Sequence, residues 1–146
     1  MFGNLLHRLT RPEPDPLDDG DARLALTALL VRLARSDGYY SASEIIRIEK
    51  IAAARFGLDG EAARQLREEA ERLEEAAPDT VRFTRAIKDR VPHEARLGII
   101  AALWQVALAD GGRNADEDAL IRLATRFLGI SDRDSALVRR KIAAKG

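Results

Sequence analysis

The sequence contains no cysteine, which excludes disulfides, zinc-thiolate sites, iron–sulfur clusters and cysteine nucleophiles together. It has only two histidines, His7 and His93, one near a proline-rich stretch and the other at a helix start, so zinc hydrolysis and a Ser/His/Asp triad have no support. Aromatic residues make up 5% of the chain, too few to line the cleft that a glycoside hydrolase needs around its paired carboxylates. Neither a Gly-x-Gly-x-x-Gly run nor a Gly-Lys-Ser/Thr loop occurs, so nucleotide binding of the common kinds is not signalled. Lys+Arg 24 against Asp+Glu 24 leaves a net charge of +0, and the basic excess typical of nucleic-acid binding is missing. The most apolar run, from Leu97 to Ala109, is interrupted by Gln105 and falls short of the roughly 17–25 residues that span a bilayer.

What the chain does have is enough apolar material for one core. With 146 residues, 46% of them hydrophobic, it fits a single domain whose folding hides roughly two-thirds of the unfolded surface. The N-terminus lacks the long apolar stretch and cleavage site of a secretory signal, so a cytoplasmic location is expected. In residues 1–16, Phe2, Leu5, Leu6 and Leu9 share one helical face, and Pro12, Pro14 and Pro16 form a semi-rigid linker. That segment is short and weakly cationic, which suits docking on a partner, on a second copy or on its own domain better than anchoring in a membrane. The globular domain is expected over 17–146.

From Leu17 onward the apolar spacing is helical, and no stretch keeps the two-residue alternation of a half-buried strand, so the expected fold is all-α with about seven helices. Caps and breakers place them. The first runs from about Asp19 to Ser36 with Leu24, Leu26, Leu29, Leu30 and Leu33; Ser41 caps the second, which carries Ile45, Ile48, Ile51 and Ala52 and stops at Gly57. Asp59 opens the third, to about Ala76, with a narrow stripe of Ala62, Leu66, Ala70 and Leu73 and a heavily charged remainder. Those charges, paired locally as in Glu68 and Arg72, predict a solvated face. Asp79 starts a fourth with Val81, Phe83 and Ile87; the fifth surrounds Ile99 and Leu103; the sixth runs from Asn114 to about Leu128; Ser131 caps a seventh with Ala136, Leu137 and Ile142. Trp104 is expected in the core, and Tyr39 and Tyr40 sit in a turn where they either pack on the following helix or form an exposed recognition spot.

Sliding the chain by 73 positions, the interval from Asp37 to Asp110, sets Ala22-Arg23-Leu24 on Ala95-Arg96-Leu97, Leu30 on Leu103 and Leu33 on Val106. Beyond the turn, Ser41 falls on Asn114 and Glu44 on Glu117, and a slip of one or two residues brings Arg55-Phe56 onto Arg126-Phe127. Two pseudo-symmetric helical hairpins are implied, each with a turn of the form Asp-Gly-x-x-Ser/Asn-x-x-Glu. Ser41 with Glu44, and Asn114 with Glu117, read as capping boxes, and Gly38 and Gly111 as left-handed helix ends. Asp37 and Asp110 are less easily explained, since an acid in a helix's last turn opposes the dipole at a cost of about 0.3–1 kcal/mol. Either each aspartate clamps the start of its following helix, or Asp37, Glu44, Asp110 and Glu117 offer oxygen ligands to a hard divalent cation.

The doubled segments 36–44 and 109–117 resemble the repeated acidic turn of the TerB-like tellurite-resistance family, and the resemblance extends over about Leu17 to Ile142. It implies an all-helical fold and non-catalytic membership of a bacterial stress-response or membrane-associated complex. It also implies a divalent cation, calcium, magnesium or manganese, held at the positions of Asp37, Glu44, Asp110 and Glu117. The chain departs from the family pattern with Tyr39-Tyr40 in the first turn and Gly112-Arg113 in the second. The expected partners are a protein or a second copy of the chain, with no nucleic acid, no small-molecule substrate and at most weak peripheral contact with a membrane.

Overall fold

The computed structural model describes residues 19–36, 38–76, 84, 88, 93–109 and 115–145. Among them are six helices and no strand: α1 (Asp19–Arg35), α2 (Ala42–Phe56), α3 (Gly60–Ala76), α4 (His93–Ala107), α5 (Ala115–Phe127) and α6 (Asp132–Lys145). The all-α expectation holds. The helix expected between Asp79 and Pro92 lies outside the described residues apart from Thr84 and Lys88, both helical, with Thr84 buried. The N-terminal segment and its proline linker also lie outside them.

The helix boundaries follow from local chemistry. Ser41 Oγ accepts from the Glu44 N–H at 3.1 Å while the Ser41 N–H donates to Glu44 Oε1 at 2.9 Å, a complete capping box at the start of α2. Asp59 Oδ1 accepts from Ala62 N–H at the start of α3, and Ser131 Oγ from Asp134 N–H at the start of α6. Helix α2 ends at Gly57 with φ +66°, and α5 is followed by Gly129 with φ +74°. Only glycine takes that left-handed geometry without steric cost.

The centre is made by α1 and α4, which pack against each other. Every residue from Leu24 to Leu30 is buried, and so are Ile99, Ile100, Leu103, Trp104 and Val106, which is why neither helix shows a one-sided apolar stripe. Burial of each such leucine or isoleucine is worth about 1.5–3 kcal/mol, so these two helices supply much of the driving force for folding. Thr27, caught among them, turns its hydroxyl back to the Arg23 carbonyl at 2.8 Å.

The repeat reaches further than the hairpins read from sequence. Helix α3 covers α1, and α6 covers α4. At an interval of 72 residues, that from Gly57 to Gly129, the caps Asp59 and Ser131 coincide, as do the Leu58 N–H to Ala53 carbonyl and Ile130 N–H to Thr125 carbonyl bonds. The buried Ala63 then falls on buried Ser135. Each half is therefore a three-helix unit, α1-α2-α3 and α4-α5-α6. On α6 the packed residues are Ser135, Val138 and Ile142, whereas Leu137, expected inside, is 43% exposed.

Candidate functional site

The turn between α1 and α2 is set by local bonds. Gly38, with φ +81°, donates its N–H to the Arg35 carbonyl, and the capping box follows three residues later. Glu44 is 2% exposed and gives Oε1 to the cap; Glu117, at the matching place on α5, is 3% exposed. These two glutamates stand on different helices, and Asp37, Asp110 and Asn114 lie outside the described residues. Among the described residues no group of three or more His, Cys, Asp or Glu is arranged to hold a metal ion. The carboxylates of Glu44 and Glu117 are nevertheless the donor type a hard cation takes, and the cap engages only one oxygen of Glu44.

The two tyrosines of the first turn separate. Tyr39 is 68% exposed, while Tyr40 packs on the core with its hydroxyl donating to Glu71 Oε2 on α3 at 2.7 Å. The Arg35 guanidinium lies over the Tyr40 ring, 4.9 Å from its centroid. Burial, reinforced by the bond to Glu71 and its charge, holds the Tyr40 phenol well above its ordinary pKa.

Tyr40 belongs to a network that corrects the expectation of a solvated α3 face. Glu71 also accepts from Arg67 at 2.6 Å, and Arg67 reaches Glu49 on α2 at 2.6 Å. Arg32 and Arg35 of α1 divide the Glu74 carboxylate between them at 3.2 and 2.8 Å. They also donate to the Glu74 and Glu71 carbonyls, at the end of a helix that has no basic residue in its own last turn. A neighbouring helix thus supplies the positive charge that an α-helix C-terminus favours. Burial alone would lower the Arg67 and Arg35 pKa values, but the bonds to Glu49 and Glu71, and to Glu74, outweigh it and hold both above their ordinary value. Only the outer charges of α3 behave as expected, with Arg64 bridging Glu61 and Glu68 in exposed pairs. Glu68 is thereby paired with Arg64, not with Arg72.

The second half is built differently at the same place. Trp104 is buried as expected, and its Nε1–H donates to Ser135 Oγ at 3.1 Å. Above it runs a groove of about 390 Å³ lined by Trp104, Asp118 and Arg122 together with Asp132, Ser135 and Arg139. The Arg139 guanidinium lies 5.8 Å from the indole centroid. Neither the network of the first half nor this groove was found from sequence, because the partners are far apart along the chain and no helical spacing marks them.

Among the described residues no helix is long and apolar enough to cross a membrane. No match to the chain was found among curated proteins or among solved structures. A family model does match, the one described as tellurite resistance protein TerB, and it covers residues 23–140, from within α1 to within α6 and so across both three-helix units, which makes the chain a member of the TerB family.

Proposed function

We propose that the chain is a non-enzymatic helical module whose paired acidic turns bind a divalent cation weakly, and which serves as a scaffold in a bacterial stress-response or membrane-associated complex. The observation that carries this reading is the burial of one glutamate at the same place in each half, Glu44 at 2% and Glu117 at 3% exposure. Carboxylates are costly to bury unless something offsets their charge, and a cation held between Glu and Asp of each turn would do so. Asp37 with Glu44, and Asp110 with Glu117, would be the ligands, supplying an all-oxygen site suited to calcium, magnesium or manganese.

A second reading has its own support. The Ser41 and Glu44 capping box is complete, which accounts for Glu44 as a helix clamp and fits a purely structural interaction domain. Thermal unfolding with and without millimolar calcium, magnesium or manganese separates the two. A cation at about 100 times its dissociation constant adds about 2.7 kcal/mol to the folded state. Asp37→Asn and Asp110→Asn should remove that gain and barely change the ion-free protein. Glu44→Gln, which preserves a capping box, should do the same. If none of the three ions changes stability or gives heat in a titration, the clamp reading stands and cation binding is lost.

A further inference from the structure

The two halves keep the same backbone plan and give opposite treatment to one arginine. Arg67 on α3 and Arg139 on α6 stand 72 residues apart, at matching places counted from their helix caps. Arg67 is enclosed, with its side chain 14% exposed and two carboxylates at 2.6 Å, those of Glu49 and Glu71. In the second half Arg122 occupies the position of Glu49, one residue after buried Ile121 as Glu49 follows buried Ile48, and Ala143 occupies that of Glu71. Both acids that hold Arg67 have been replaced, one of them by a second cation.

Arg122 and Arg139 both line the groove between α5 and α6. Arg139 stacks over the Trp104 ring there, and no ion pair of Arg122 or Arg139 occurs among the described residues. Two acids also border the groove: Asp118 has an interaction of its own, and Asp132 lies in the first turn of α6, where a negative charge is favoured by the helix dipole. We propose that this groove docks an acidic segment of a partner protein, with a glutamate or aspartate carboxylate held between Arg122 and Arg139 above the indole of Trp104. The first half of the molecule indicates the chemistry, since it satisfies the equivalent arginine with carboxylates. Planar guanidinium groups match a carboxylate with paired hydrogen bonds. A concave groove whose tryptophan is only 6% exposed suits an inserted side chain better than a flat lipid surface. The proposal is independent of cation binding at the acidic turns.

Trp104 is the only tryptophan in the sequence, so its emission reports on this groove directly. The full chain is titrated with a glutamate-rich peptide of about a dozen residues, with a lysine-rich peptide of the same length as control. A saturable change in Trp104 emission is expected with the acidic peptide alone, weakening as salt rises. Affinity should fall about tenfold or more in Arg122→Gln and again in Arg139→Gln, each removing one charge-assisted contact. It should be unchanged in Arg133→Gln, an exposed α6 arginine outside the groove. Because Arg122 is exposed, its variant tests the groove even if Arg139→Gln perturbs folding. No saturable change at millimolar peptide, equal affinity in Arg122→Gln, or binding to vesicles of anionic phospholipid in place of the peptide would overturn the proposal.

Discussion

The Tyr40 hydroxyl and the Glu71 carboxylate, 31 positions apart in sequence, meet at 2.7 Å and fasten the turn after α1 to the middle of α3. Glu71 receives Arg67 at the same oxygen, so one carboxylate joins a turn, its own helix and, through Arg67, Glu49 on α2. The acidic turn is thereby seated on α3 through Tyr40, which fills one of the unspecified positions of its motif.

Replacing Tyr40 with Phe should cost about 1.5–3 kcal/mol, because the bond lost is one to a charged acceptor. Its pH dependence has a definite sign. The folded state raises the phenol's pKa, so the stabilisation is full below the ordinary tyrosine value of about 10 and is lost as pH climbs from there toward the raised value. Alkaline unfolding followed by circular dichroism should show the wild-type chain losing stability more steeply above pH ~10 than Tyr40→Phe. Equal slopes would count against the bond.

Ser41→Ala removes the acceptor for the Glu44 N–H and one arm of the capping box, with an expected loss of about 1 kcal/mol. Urea denaturation measures it. A loss under a few tenths would mean that the turn is held by other contacts.

Gly98 lies inside α4, and a methyl group there would meet only the end of the Arg55 side chain, at 3.1 Å from Nη1. That guanidinium can swing aside, so the helix gains from losing a glycine. Gly98→Ala should stabilise the protein by about 0.5–1 kcal/mol. A lower melting temperature would show that Arg55 is fixed in place.

Ser135→Ala strands the buried Trp104 Nε1–H. The expected cost is about 1–3 kcal/mol, read by thermal unfolding, together with a shift in Trp104 emission. Ser135→Thr, which keeps the hydroxyl, should recover part of it.

How far the sequence discloses this molecule depends on the range of the interaction involved. Ser41, Glu44, Gly57, Asp59 and Ser131 act within four residues, and each marks its helix end where the spacing predicts. The burial of Leu29, Leu33, Leu103 and Trp104 follows from composition alone. Arg67 and Glu49, or Arg32 and Glu74, carry no such mark, because a charged residue on an amphipathic helix has the same spelling whether it faces water or another helix. For the same reason α3 reads as solvated along charges that in fact join three helices. On α6, the hydroxyl of Ser135 is inside only because an indole N–H needs it, so the stripe drawn through Leu137 misses the face that packs. The acidic turns sit between these cases: Glu44 is legible as a cap, and Asp37 and Asp110 lie outside the described residues.

The contact of α1 with α4 also determines how the chain can be divided. The repeat is three helices long, yet each central helix is shielded partly by its own unit and partly by the other's, so a single repeat is expected not to fold alone. A cut between α3 and α4 would part α1 from α4 and so strip each central helix of some of its cover. The fragments would then be companions by necessity, recombining in solution or precipitating apart. The outer helices α3 and α6 can thus differ in the charges they carry, as they do here, while the central helices α1 and α4 are both heavily apolar and buried.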